Sequence, residues 1–208
     1  MSFRIVRWCC SLLLVISVTG VHAEMADINR IFRQTPNLDH MEICHGGGCA
    51  RLSQVQLTQA EWNQVTRLFA PLPEDAEHER LLIARAVGQL ETLVGAKTGT
   101  VGDKAGTFNN SKYPGQLDCN DESINTTTYL RLLIQAGLVR WHTVEDTRTR
   151  HFFFSGWPHS TAVIRQTDSG KLYAVDSWFY DNGHPATIVP FELWKDGFVP
   201  ADSPLSRK

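Results

Sequence analysis

The sequence predicts an α+β fold, with N-terminal helices packed on a C-terminal antiparallel β-sheet. Three observations carry that prediction. Apolar residues recur at helical spacing over residues 58–69, 74–94 and 119–133. After Gly137 the period changes to short, strand-like stretches rich in β-branched and aromatic residues. Asp168-Ser169-Gly170 and Asp181-Asn182-Gly183 supply tight turns between those stretches. A chain of 208 residues that is 42% hydrophobic and 20% charged suits a single ordinary globular domain.

Residues 1–23 stand apart. Arg4 and Arg7 precede an apolar run over 8–18, and Val21-His22-Ala23 resembles a small-residue cleavage site. This is the pattern of a secretory signal peptide, too short for a comfortable membrane span, with an uncleaved anchor as the alternative. The expected mature chain is exported, periplasmic or secreted, with one domain over 24–200 and a frayed tail over 201–208. Cleavage would remove two positive charges and no negative ones from a chain that already carries a formal −2. A mildly acidic protein without a Lys/Arg cluster is a poor partner for nucleic acid or an anionic membrane surface.

Within the mature chain, Ile28, Ile31 and Phe32 predict a short helix over 24–35, ended by Pro36. Thr58, with Glu61 three residues on, forms a capping box for a helix through residue 69, and Pro71 and Pro73 end it. Leu81, Leu82, Val87, Leu90 and Leu93 predict a longer helix over 74–94, with Gly95 as its stop. Residues 97–113 are polar and aperiodic, a long loop of the kind that often contacts substrate. Its Gly99-Thr100-Val101-Gly102-Asp103-Lys104-Ala105-Gly106 segment lacks the Gly-Lys-Ser/Thr ending of a phosphate loop. Asp118 then caps a helix beginning near Cys119, with Ile124, Thr128, Tyr129 and Leu132 on its packing face. Asn125-Thr126-Thr127 in that helix matches a glycosylation acceptor. Strands are expected over 139–144, 151–155, 160–165, 171–177 and 186–190.

The cysteines point to chemistry. Cys9 and Cys10 leave with the signal, so Cys44, Cys49 and Cys119 remain. Cys44 and Cys49 enclose His45 and three glycines, a small ring suited to a disulfide in an oxidising compartment. A metal site on Cys44, His45 and Cys49 is a rival reading, but the spacing is not that of a zinc finger or ribbon. Cys119 is left as the odd thiol at a helix N-terminus, a position that activates thiols. Its bland alternative is a small buried core residue.

A cysteine nucleophile needs a base, and the base needs an orienting group. His159 opens one strand and Asp176 lies in the next, across the turn at 168–170, so a shared face would bring the two together. His142 and His151 are the alternatives to His159. The bland readings are a satisfied strand histidine and a turn or ion-pair aspartate.

Asp118-Cys119-Asn120-Asp121, Pro158-His159-Ser160-Thr161-Ala162-Val163 and Ala174-Val175-Asp176-Ser177-Trp178 together resemble the transglutaminase-like branch of papain-like cysteine enzymes. They look closest to exported bacterial transglutaminase-like cysteine proteinases. The resemblance covers the C-terminal half of the mature chain. It implies a papain/transglutaminase-like core, with Cys119 as nucleophile, His159 as base and Asp176 as orienting acid. It also implies acyl transfer from a peptide, protein or cell-wall amide, without a cofactor: hydrolysis if water accepts, cross-linking if an amine does. Animal transglutaminases have Gln-Cys-Trp at the nucleophile, whereas here Gln116 stands three residues before Cys119 and Asn120 follows it. The oxyanion donors expected on this pattern are the Cys119 N–H and the Gln116 amide. A binding domain that keeps the fold without turnover is the competing function.

Overall fold

A computed structural model describes residues 35–108, 114–151 and 158–207. The expected signal peptide, nearly all of the helix expected over 24–35 and residues 152–155 of the strand expected over 151–155 lie outside the described residues.

The described chain opens with a hairpin. Strands β1 (Met41–His45) and β2 (Arg51–Val55) pair antiparallel, with Met41 opposite Val55 and His45 opposite Arg51. Met41 and Ile43 point into the core while Glu42 between them does not. Nothing in the sequence marks these two five-residue strands, because glycine and cysteine dominate the segment between them.

Helix α1 (Gln59–Thr66) starts at the expected capping box, with both reciprocal bonds between Thr58 and Glu61 formed, and tightens into a 3₁₀ turn over Arg67–Phe69. Helix α2 (Ala76–Thr98) is capped by Asp75, whose side chain accepts from the His78 N–H. It does not stop at Gly95. The left-handed residue that ends it is Gly99, at φ 77°. Gly95 instead lets the loop come close: a Cβ there would sit 3.2 Å from Asn182 Oδ1 and 3.3 Å from Val101 N. A glycine used for close approach looks in sequence like a helix stop.

Helix α3 (Cys119–Gln135) follows, then four strands in antiparallel order β3 (His142–Arg150), β4 (His159–Gln166), β5 (Leu172–Asp176) and β6 (Thr187–Pro190). The α+β class and the antiparallel sheet are as expected. β3 runs further than its apolar start indicated, because polar residues 145–150 continue the pairing with β4 through a bulge between Glu145 and Arg148. The bulge leaves Arg150 opposite His159. The short helix α4 (Phe191–Lys195) was not foreseen.

The main core lies between α2, α3 and the sheet. Leu82, Ile83, Val87 and Leu90 of α2 meet Leu130 and Leu133 of α3 and Ala162, Ile164 and Val175 of the sheet. Burial of each large aliphatic side chain there contributes about 2 kcal/mol. β4 is buried along its first six residues, so it is a central strand covered on both faces. The C-terminal residues are docked, not frayed: Ser203 is fully buried, and its hydroxyl donates to Phe179 O at 2.6 Å.

Candidate active site

Cys119 is carried by the turn at Gly115 and the head of α3. Gly115, at φ 81°, turns the chain where any Cβ would meet Gly99 O at 2.4 Å, so only glycine fits the approach. Two residues on, Leu117 N–H donates to the buried Asp103 Oδ1 at 2.7 Å. Asp118 then caps α3, its Oδ1 accepting from Asn120 and Asp121 N–H at 3.0 and 2.9 Å, and Asp121 reaches back to Asp118 N–H at 3.4 Å. This places Cys119 on the first turn of the helix, as the sequence predicts.

Cys119 is the free cysteine among the described residues, and it is buried. Cys119 packs with Ala174, Trp178, Phe179 and Trp194, and the backbone N–H groups of Ser160 and of Cys119 itself lie close enough to the thiol to favour its ionised form. Burial pushes the thiol up to about 11, and the charges of Asp118 and Asp176 act in the same direction, against the Ser160 N–H. Helix position alone therefore does not activate it.

His159 and Asp176 lie on the neighbouring strands β4 and β5. β4 and β5 pair with Ala162 opposite Val175. Continuing that register sets His159 diagonally across from Asp176 on one face. His159 Nε2 and Asp176 Oδ2 are 2.6 Å apart, with both side chains almost fully buried. The other ring nitrogen, Nδ1, is buried without a hydrogen-bond partner. An orphaned buried imidazole nitrogen is costly, and it sits one residue from the Ser160 N–H that touches the Cys119 sulfur. Ser160 Oγ also donates to Asn120 Oδ1 at 2.9 Å, so a hydrogen bond ties the head of β4 to the head of α3.

Aromatic rings enclose the imidazole. Trp178 lies 4.4 Å from it, and Phe179 and Trp194 lie 5.6 Å away, centroid to centroid. Trp194 does more than pack: its indole N–H donates to Asp176 Oδ2 at 2.6 Å, the same oxygen that meets His159. The Trp178 backbone N–H donates to Asp176 Oδ1 at 3.2 Å. Arg150, opposite His159, anchors Trp194 in turn. Its Nη1 donates to Trp194 O at 2.6 Å and Phe198 O at 3.0 Å, and its guanidinium lies 4.9 Å above the Trp194 ring. Trp194 and Arg150 were missed in the sequence because neither lies near a motif. Beside Arg150 a cavity of about 320 Å³ opens, lined also by Arg148, Phe191 and Lys195.

Gln116 is placed otherwise than its proposed role requires. Its Nε2 donates to Gly102 O at 2.9 Å and its Oε1 accepts from Lys104 N–H at 3.1 Å, so it braces the preceding loop. First-turn capping leaves one donor near the thiol. Asp118 takes the Asn120 and Asp121 N–H groups through its side chain and that of Glu122 through its carbonyl, leaving the Cys119 N–H beside its own sulfur.

His142 belongs to a separate buried pair. Its Nδ1 lies 2.8 Å from Glu79 Oε1, and Glu79 also accepts from the Arg140 and Trp141 N–H groups. That carboxylate fastens α2 to the start of β3. The Cys44–Cys49 disulfide is formed. With their sulfurs joined, these cysteines are no longer thiolate ligands, and the rival metal reading loses two of its three residues. Asn125 of the glycosylation motif is buried and bonds both backbone groups of Cys44, so it is a structural residue.

Behind the site lies a buried acidic cluster that no short motif announced. Glu91 of α2 and Glu122 of α3 adjoin Ser177, the residue after Asp176, and Asp103 of the loop lies against Glu122. Burial pushes Glu91 up to about 7 and Asp103 up to about 6, and it drives Glu122 well upward with help from the other two.

No family model, curated protein or solved structure matches this chain.

Proposed function

We propose that this chain is an exported, cysteine-dependent amide hydrolase or acyltransferase of the transglutaminase-like kind, with Cys119, His159 and Asp176 as nucleophile, base and orienting acid. One observation carries the reading. His159 is fixed through Nε2 by a buried carboxylate, while its Nδ1 has no partner and lies beside the segment that touches the thiol.

The chemistry follows from those positions. Asp176 accepts from Nε2–H, which makes Nδ1 the basic nitrogen of the neutral ring. Because burial keeps the Cys119 thiol protonated at rest, Nδ1 takes the S–H proton as sulfur attacks an amide carbonyl carbon. The oxyanion that forms meets the Cys119 N–H at the positive end of α3. His159 then returns the proton to the leaving amine, and the thioester passes its acyl group to water or to a second amine. The substrate class is a peptide, protein or cell-wall amide.

A second reading, a binding domain without turnover, is favoured by the burial of Cys119, which pushes its thiol up to about 11. Chloroacetamide separates the two. General-base activation predicts that His159→Ala slows alkylation of Cys119 by roughly a hundredfold near neutral pH. Equal, slow labelling of both proteins selects the binding domain.

A further inference from the structure

Between β1 and β2 the chain passes through Gly46, Gly47 and Gly48 at φ 89°, 85° and 60°, and Cys49 follows at 59°. Such a run turns successive N–H groups to one side, a concavity that suits anions. What it holds is the head of α3. Gly47 N–H donates to Asp121 Oδ2 at 2.7 Å, Cys49 N–H to Asp121 Oδ1 at 2.6 Å, and Gly48 N–H to Asp118 Oδ2 at 2.7 Å. One helical turn on, Asn125 Oδ1 accepts from Cys44 N–H at 2.8 Å and its amide donates to Cys44 O at 2.9 Å. Every one of these bonds ends on the disulfide-closed ring, and the two carboxylates it grips flank Cys119.

We propose that the Cys44–Cys49 ring is a redox-controlled positioning device for Cys119, with Asp121 as its positioning residue. Oxidised, the ring fixes the head of α3 beside His159; reduced, it lets go. The proposal rests on the nucleophile reading above.

Reduction by a dithiol breaks the S–S bond. Two electrons pass to Cys44 and Cys49, which take up two protons as thiols, and the dithiol becomes a disulfide. Cys49, a non-glycine residue in the left-handed region, is then free to relax from its strained backbone. Its N–H leaves Asp121 as it does so, and those of Gly47 and Gly48 lose their fixed geometry. Burial, with the charge of Asp118, already pushes Asp121 up to about 7 with its donors in place. Without them the carboxylate takes up a proton or turns toward water, and the Asp118 cap moves with it. Cys119 is covalently between the two. A dithiol that keeps an ordinary catalytic thiol active would therefore switch this one off.

The test uses the purified, air-oxidised protein, its bridge verified by intact mass, with chloroacetamide as the probe of Cys119 from about pH 6 to pH 10. The Cys44→Ser/Cys49→Ser double variant should alkylate roughly tenfold more slowly near neutral pH, the effect of losing about 1.4 kcal/mol of positioning of the thiol against His159. Asp121→Asn keeps the bridge and removes a negative charge, so its two consequences have opposite signs. Lost positioning slows alkylation, whereas a purely electrostatic role for Asp121 would speed it. Slower alkylation in both proteins supports the device. A double variant at the wild-type rate, or an Asp121→Asn protein at or above it, overturns the device. If circular dichroism shows the double variant unfolded, Asp121→Asn decides. His159→Ala keeps the two proposals apart: slow alkylation there with wild-type rates in both ring variants sinks the device alone, while a wild-type rate in His159→Ala sinks the triad.

Discussion

Replacing Glu91 with glutamine should flatten the dependence of stability on pH. Glu91, Asp103 and Glu122 are buried together behind the site, and Glu91 accepts from Gly183 N–H at 3.2 Å. Burial pushes the Glu91 carboxyl from 4.5 up to about 7, against the bonds from Ser177 and Gly183. The folded protein thus holds this proton more tightly than the unfolded chain does. Its contribution is fully present below the unfolded value and is lost as pH rises through about 7. A rise of that size corresponds to about 3 kcal/mol. For a domain of this length it amounts to roughly 6–12 °C in melting temperature between about pH 4 and pH 8. Asp103 and Asp121, raised to about 6 and about 7, act in the same direction in both proteins. Glu91→Gln keeps the shape and the acceptor for Gly183 N–H, while removing the charge that raises Glu122. Calorimetric melts across this pH range should show the variant losing less stability than wild type on the alkaline side. Parallel curves would refute the argument that the cluster holds a proton at neutral pH.

Trp194→Phe removes the indole N–H from Asp176 and should cost about 1–2 kcal/mol in stability, read from denaturant melts. It should also slow chloroacetamide alkylation of Cys119 several-fold, because the carboxylate that orients His159 loses a donor. Glu79→Gln should destabilise by about 1–3 kcal/mol, since it weakens the bonds to Arg140, Trp141 and His142. Cys119 alkylation should not change there, which tests whether the second His–acid pair is purely structural. Asn125→Leu removes both bonds to Cys44 and should cost about 2–4 kcal/mol, measured by the same melts.

What the sequence disclosed and what it withheld divide by distance along the chain. The Asp118 cap and the Thr58–Glu61 capping box are local, their partners three residues apart, and both formed as expected. The pairing of His159 with Asp176 was also legible, because one tight turn joins their strands and sets the diagonal. The Cys44–Cys49 bridge followed from the count of cysteines. Trp194 reaches Asp176 from a five-residue helix whose sequence carries no cap signal, so nothing local marked it. The grip of Gly47, Gly48 and Cys49 on Asp118 and Asp121 spans some seventy residues, and only the folded chain brings it together. Gln116 misled in the opposite way. Its closeness to Cys119 in sequence suggested an oxyanion donor, but the turn at Gly115 directs its amide to Gly102 and Lys104.

The central claim, that His159 makes a nucleophile of a thiol the fold keeps protonated, is tested most directly by trapping the acyl-enzyme. Oxidised wild type would be incubated with p-nitrophenyl acetate, quenched in acid, and its Cys119 peptide examined by mass spectrometry. The account predicts an acetyl thioester on Cys119 that forms at least about a hundredfold more slowly in His159→Ala. Acetylation at equal rates in the two proteins, or none at Cys119 in wild type, would contradict it.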